Sequence, residues 1–207
     1  MKKILGIFVA LIVGLGVNSA LAAVTTVDLY NQFPDAQGQN GFYAYGYQAS
    51  RSVPYRQLTR EGAYYFSTPE QDWHIPYVRK TATPWLTMAP SAVDQTGKEY
   101  GAENAVLSWR APETNIFALS GQFSMQDGGA VIVYIRKNDT ILWSAPIDFV
   151  GTADFDLPAV SLIVGDMLYF GVDAGAEDYN DTTQLKGAIS YTARGRSDAA
   201  GVLLLLD

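Results

Sequence analysis

The side chains of this chain that could bind a ligand by stacking are aromatic residues in a proline-rich segment. The candidates are Trp73, Trp85, Tyr64 and Tyr65. In this segment we expect loops above the edge of a sheet, where binding residues are often found. The apolar face of a sugar ring packs on such rings, while nearby polar groups bond its hydroxyls. The four residues therefore predict a saccharide-binding site, and the alternative for each ring is a place in the core or in a turn.

Oxygen ligands for a metal ion are concentrated in the acidic segment from Asp173 to Asp181. The ligands would be Asp173, Asp178 and Asp181. Such oxygens suit Ca²⁺, whose role here would be to hold the loop and not to catalyse a reaction. The spacing of an EF-hand loop is absent, so the sequence favours a solvated acidic loop over a structural calcium site. We expect no other cofactor.

Residues for catalysis are few. The chain has one histidine, His74, and no cysteine, so a nucleophilic triad would have to use His74, and no partner motif accompanies it. The segment Gly171–Gly175 has the spacing of a nucleophile elbow, but an acidic loop follows where a helix should begin, which favours a strand end. No spacing selects two of the 21 acidic residues as a glycosidase pair. We expect a non-catalytic protein, and a glycoside-active enzyme is the least favoured alternative.

The elements that would position these residues are short strands separated by turns. From Ala105 to Ile189 no helical period interrupts them. Val131, Val133 and Ile135 share one face of a strand, while Ile132 and Tyr134 share the other, so both faces carry apolar side chains. This pattern predicts an all-β sandwich of two antiparallel sheets.

The first half of the chain is less regular. Residues 24–39 show little period, so the segment FYAYGYQ, which begins at Phe42, is the first strand that we expect. Between Arg51 and Tyr100, five prolines restrict strands to edges or replace them with loops.

The N-terminus has the pattern of a signal peptide. Lys2 and Lys3 precede an apolar run from Ile4 to Val17, and Ala20 and Ala22 fit the small residues of a cleavage site. A membrane anchor is the alternative, but the run is shorter than the roughly 20 residues that span a bilayer. We expect a signal peptide at residues 1–22, one domain at 23–191 and a flexible tail at 192–207. The mature protein would be secreted or periplasmic.

Charge limits the class of partner. The formal net charge is −7, and loss of two lysines with the signal leaves 12 basic against 21 acidic residues, near −9. Affinity for nucleic acid or an anionic lipid surface comes mainly from clustered Lys and Arg, and here the basic residues are scattered. We therefore expect no nucleic-acid partner and no membrane insertion after signal cleavage.

Five segments in sequence order carry a resemblance to a known class of domain. They are F-x-x-Y-G-Y at Phe42, V-L-S-W-R-A-P at Val106, G-x-F-S at Gly121, V-x-V-x-I-x-x-N-x-T-x-L-W at Val131 and V-G-D-x-x-x-F-x-V-D at Val164. From roughly Gly41 to Ile189 the chain resembles a jelly-roll domain of exported bacterial proteins that is similar to carbohydrate-binding modules.

The resemblance implies structural roles and a partner. Trp109 would be the inward aromatic of a central strand, and Gly165 with Asp166 would form the turn before the next strand. The hairpin departs from the family, since Asn138 is followed by Asp139 where Asn-Gly is common. The implied function is binding of a polysaccharide or cell-surface glycan, and the alternative is a structural or adhesive extracellular protein.

Overall fold

The computed structural model describes residues 23–47, 54–61, 65–67, 76–91, 103–125, 128–173 and 182–193, with the backbone alone at 61 and 65–67. Within these residues the chain forms strands and one short 3₁₀ turn at Gln39–Gly41. The strands are β1 Val24–Asp28, β2 Phe42–Tyr47, β3 Tyr55–Gln57, β4 Thr59–Glu61, β5 Tyr65–Ser67, β6 Tyr77–Lys80, β7 Leu86–Ala89, β8 Asn104–Arg110, β9 Asn115–Met125, β10 Ala130–Lys137, β11 Thr140–Asp148, β12 Gly151–Leu162, β13 Met167–Asp173 and β14 Thr183–Thr192. Nothing helical in these ranges has the length and apolarity to cross a bilayer.

Two antiparallel sheets make up the fold. The eight-stranded sheet has the order β12, β9, β14, β7, β6, β5 and β4, with β1 also paired to β14. The six-stranded sheet has the order β11, β10, β13, β8, β2 and β3. The predicted sandwich of antiparallel sheets is confirmed.

The last eight strands have jelly-roll connectivity. In one sheet β7, β14, β9 and β12 are neighbours, and in the other β8, β13, β10 and β11 are neighbours. The chain crosses between the sheets from β7 to β10, follows the β10–β11 hairpin, and crosses again from β11 to β14. This order places the first and last of the eight strands side by side, as in a double Greek key. The predicted jelly roll is therefore confirmed from the strand order itself.

The core lies between the sheets and follows the predicted alternation. Val131, Val133 and Ile135 are buried in it, whereas Ile132 on the opposite face of β10 is 46% exposed. Trp109 is 2% exposed in β8, a central strand, which confirms its predicted inward position. The Phe155 ring packs against Gly121 and Gly187, paired glycines at which any β-carbon would collide with that ring or with backbone.

Two expectations about the first half of the chain had different outcomes. Pro54, Pro76, Pro84 and Pro90 all lie outside strands, as predicted. The expectation of no strand before Phe42 was wrong, because Val24–Asp28 forms β1. Its backbone pairs with β14 from Val24 opposite Thr192 to Asp28 opposite Ala188, and backbone pairing needs no apolar alternation at a sheet edge.

Two turns at one end of the sandwich are joined by side chains. Asn138 has φ 49° in the β10–β11 turn, and Gly165 has φ 91° in the turn before β13, which confirms both as turn residues. The Asn138 amide donates to Asp166 Oδ1 at 3.0 Å, and the Ile163 backbone N–H donates to Asp166 Oδ2 at 3.0 Å. Lys137 Nζ lies 3.1 Å from the same carboxylate. The Asp166 carboxylate therefore ties the two turns together.

Candidate functional site

Of the aromatic residues predicted to bind a saccharide, Trp85 has a described side chain. It precedes β7 on the eight-stranded sheet and is half-buried. The ammonium of Lys186 lies 4.4 Å from the centre of its ring, so this cation occupies one ring face. The side chain of Tyr65, and all of Tyr64 and Trp73, fall outside the described residues. The proposed grouping of these four rings stays a prediction.

The predicted calcium ligands lie mostly outside the described residues. Asp173 is the last residue of β13 and is half-buried, and the amide of Asn104 donates to its Oδ2 at 3.3 Å. Asp178 and Asp181 are not described, and neither is His74. In the ranges given above, no three His, Cys, Asp or Glu side chains come together in a way that could hold a metal ion. The calcium site stays a prediction.

A layer of tyrosines lies on the outer side of the six-stranded sheet, on strands β2, β3, β10 and β13, and we call it the tyrosine face. In β2, Phe42 and Ala44 enter the core, so the alternate residues point outward. The same alternation turns Tyr134 in β10 and Tyr169 in β13 away from the core. The members of the tyrosine face are Tyr43, Tyr45, Tyr47, Tyr55, Tyr134 and Tyr169.

The rings of the tyrosine face touch one another across strands. Tyr55, from the edge strand β3, stacks on Tyr169 from β13 with 4.6 Å between ring centres and 16° between ring planes. Tyr55 also meets Tyr47 at 4.7 Å and Tyr45 at 5.8 Å. Tyr43 and Tyr45 are stacked at 6.1 Å. Because these rings are held by their neighbours, they have little side-chain freedom left to lose when another molecule packs on them.

A glycine on a central strand makes room for one of these rings. Gly171 in β13 lies opposite Tyr134 in β10, and a β-carbon at Gly171 would overlap the Tyr134 ring. The Asn104 amide bonds the Tyr134 hydroxyl at 3.2 Å, which fixes the ring at 7% exposure. Tyr134 therefore forms the floor of the layer, and the half-buried rings form its surface.

An ion pair to a buried carboxylate positions the edge strand that carries Tyr55. Arg56, the next residue, pairs with the carboxylate of Glu103, whose side chain is fully buried, and its Nε donates to Oε1 at 3.2 Å. Gly46 leaves space for this carboxylate, because a side chain there would collide with it. The pair fixes β3 beside β2 and so holds the Tyr55 ring over the sheet.

Two arginines border the tyrosine face. The guanidinium of Arg110 lies 5.5 Å from the centre of the Tyr43 ring, and that of Arg136 lies 5.1 Å from the centre of the Tyr47 ring. Both distances allow cation–π attraction. Arg136 also contacts Asp139, donating to its backbone carbonyl at 3.3 Å and lying 3.8 Å from its carboxylate.

Four tyrosines of the tyrosine face have a raised pKa. Burial is the main cause that raises the pKa of Tyr45, Tyr55, Tyr134 and Tyr169 above the ordinary value of 10.0. Each hydroxyl is therefore a neutral group that can both donate and accept a hydrogen bond at physiological pH. The face therefore combines apolar ring surface with hydroxyl groups.

The sequence contains a signal for the tyrosine face, but it lies in strands and not in the loops where the aromatic site was predicted. In FYAYGY, large aromatics alternate with residues that can enter a core, which places three tyrosines on one side of a strand. Tyr134 and Tyr169 show the same alternation in their own strands. What the sequence does not contain is the order of the strands, which brings β2, β3, β10 and β13 into one sheet.

The chain is similar in structure to solved carbohydrate-binding modules. The CBM36-1 domain of a multidomain xylanase from the hindgut metagenome of Trinervitermes trinervoides has 9% identity and a TM-score of 0.35, and the match covers 74% of this chain and 98% of that domain. A family 29 module, a point mutant of CBM29-2 complexed with mannohexaose, has 12% identity and a TM-score of 0.42, with 83% and 94% covered. TmCBM61 in complex with β-1,4-galactotriose has 7% identity and a TM-score of 0.36, with 78% and 98% covered.

No protein-family model and no curated protein matches the sequence. The fold is assigned from the strand order described above and does not depend on these structural likenesses.

Proposed function

We propose that this protein binds a glycan on the tyrosine face and does not act on it chemically. The observation that carries the proposal is the layer of mutually packed tyrosines on the outer side of a sheet. These rings lie on the side that faces away from the hydrophobic core. Large aromatic surfaces outside a core commonly mark binding sites.

The chemistry of a tyrosine ring suits a saccharide. Its face is apolar and packs on the carbon–hydrogen face of a pyranose, while its hydroxyl bonds a sugar hydroxyl. Tyr45, Tyr55 and Tyr169 supply adjacent rings from three strands, which is enough length for more than one sugar unit. Asn104 and Asp173 supply polar groups at the border of the face.

We also propose that the protein acts outside the cytoplasm, after export by the signal peptide at residues 1–22. An extended polysaccharide is found there, and the acidic charge of the chain suits an exported soluble protein. The predicted calcium site at Asp173, Asp178 and Asp181 would hold a loop next to β13 and would not enter the binding chemistry.

The test is affinity electrophoresis in gels that contain xylan, mannan or galactan, polymers of the sugar types named for the similar solved modules. We expect at least one polymer to retard the protein. Tyr55→Ala should weaken binding at least tenfold, about 1.4 kcal/mol, because Tyr55 touches three other rings. Tyr169→Ala should act in the same direction, and circular dichroism checks that both variants fold.

Two control variants separate the tyrosine face from the aromatic site predicted in the loops. Tyr77→Ala changes a tyrosine of the eight-stranded sheet and should leave binding within twofold of wild type. Trp85→Ala should also retain binding. If Trp85→Ala loses binding while Tyr55→Ala retains it, the site is among the loop aromatics. If no polymer retards the wild type, the adhesive or structural alternative takes precedence.

A further inference from the structure

Arg110 is placed to act on a ligand of the tyrosine face. It ends β8 with its side chain exposed, while its neighbour Trp109 points into the core. Its guanidinium lies against the Tyr43 ring at 5.5 Å. Its charge also reaches Tyr45 and Tyr169, where it opposes the rise in pKa that burial causes. A sugar stacked on these rings would therefore lie within reach of this cation.

Arg110 has no carboxylate partner among the described residues. By contrast, Arg56 pairs with Glu103, Arg60 with Asp35 and Arg136 with Asp139. The planar guanidinium of Arg110 keeps its hydrogen-bond donors available for a planar oxyanion, for which its geometry is well suited.

The negative charge of the protein disfavours binding of a polymer that carries many carboxylates. The formal net charge is −7, and the carboxylates of Asp139 and Asp173 lie at other borders of the tyrosine face. A chain with a carboxylate on every sugar would place several of them near these groups, which costs free energy through like-charge repulsion. One carboxylate beside Arg110, among neutral sugars stacked on the rings, avoids this cost.

We infer that the tyrosine face is selective for a polysaccharide with a neutral backbone and sparse carboxylate substituents, one of which pairs with Arg110. The inference rests on the proposed function, because it names the class of glycan that the same face would bind. The rings supply contact area for the neutral units, and Arg110 supplies the preference for the acidic one.

The test compares each acidic polysaccharide with the same polymer after its carboxyl groups have been reduced to alcohols. Glucuronoxylan and gum arabic, a galactan that carries glucuronate, are the two probes, and polygalacturonate represents a dense polyanion. We expect at least one native polymer to bind about tenfold more tightly than its reduced form and more tightly than polygalacturonate. The preference should shrink as salt rises from about 50 to 500 mM, since an exposed ion pair is screened.

Arg110→Gln should abolish the difference between the native and reduced forms. Arg79→Gln is the matched control, because Arg79 is also exposed and lies 5.1 Å from the centre of a tyrosine ring, Tyr77, but on the other sheet. It should keep the preference intact. If Arg110→Gln weakens both forms by the same factor, Arg110 only holds the Tyr43 ring and the inference is overturned.

Two other results also overturn the inference and separate it from the proposed function. Equal binding of native and reduced polymers, with loss in Tyr55→Ala, contradicts the acidic preference and leaves glycan binding intact. Absence of binding by every polymer, neutral or acidic, contradicts both.

Discussion

At the level of single residues, the tyrosine face depends on Gly171, because glycine has no side chain. Gly171 is a strand residue with ordinary backbone angles, so its conformational freedom is not what the fold uses. What matters is that the Tyr134 ring occupies the space where a side chain would be. The floor of the site therefore requires glycine at this position.

Gly171→Ala should destabilise the protein by roughly 1 to 3 kcal/mol, because the methyl group would displace a buried ring from a packed layer. The measurement is urea unfolding followed by circular dichroism. Gly128→Ala is the matched control, since a β-carbon there meets nothing within 4 Å, and its midpoint should stay close to that of the wild type. Equal midpoints for the two variants would mean that Tyr134 does not rest on Gly171.

At the scale of elements, the sequence contains most of what places the strands and their turns. The alternation in β10 predicts which side chains are buried. Gly165 and Asn138 indicate turns because Gly and Asn tolerate the positive φ that both positions adopt. The link between the turns through Asp166 could not be predicted, since it joins residues 28 positions apart in sequence. Strand β1 was missed although four of its five residues are β-branched, because the run is short, shows no apolar alternation and pairs with β14, which lies far away in sequence.

Asp166→Asn should weaken the link between the two turns and lower the free energy of unfolding by about 1 kcal/mol at pH 7. The hydrogen bond from Asn138 is the largest cause that lowers the pKa of Asp166 from its ordinary 3.8, and Ile163 N–H and Lys137 act in the same direction. Because the pKa is lower in the folded chain than in the unfolded one, the stabilisation is complete above about pH 4 and disappears as the pH falls through the folded value.

Urea midpoints of wild type and Asp166→Asn, measured from pH 7 to pH 2.5, test this link. The two curves should be separated at pH 7 and converge below pH 4. A constant separation over the whole range would mean that the carboxylate charge plays no part in holding the turns.

At the scale of the whole molecule, a single core supports both sheets and therefore the tyrosine face. Val133 in β10 and Phe170 in β13 belong to this core, on the opposite side of the strands that carry Tyr134 and Tyr169, and Trp109 joins the core from β8. The position of the tyrosines thus depends on the same alternation that fills the core. The sandwich was predictable from this alternation, whereas the ring layer required knowledge of which strands become neighbours.

Val133→Asp should unfold the protein. An unpaired carboxylate in the core costs several kcal/mol, which is comparable with the total stability of a typical domain, about 5 to 15 kcal/mol. Ile141→Asp is the control, because Ile141 is 61% exposed in the neighbouring strand β11. Thermal unfolding should give a melting transition near that of wild type for the control and none for Val133→Asp. A melting temperature within a degree or two of wild type for Val133→Asp would contradict the assigned core.

The ring signals of labelled tyrosines in NMR spectra report whether a glycan binds on the tyrosine face. Xylotriose, mannohexaose and galactotriose would each be titrated into the protein. With the oligosaccharide that binds, the ring signals of Tyr43, Tyr45, Tyr55 and Tyr169 should shift, while those of Tyr30 and Tyr77, which contact Lys80 and Arg79 away from this face, should stay in place. Shifts confined to Tyr77 and the indole of Trp85, with the rings of the tyrosine face unchanged, would show that the glycan binds elsewhere on the protein.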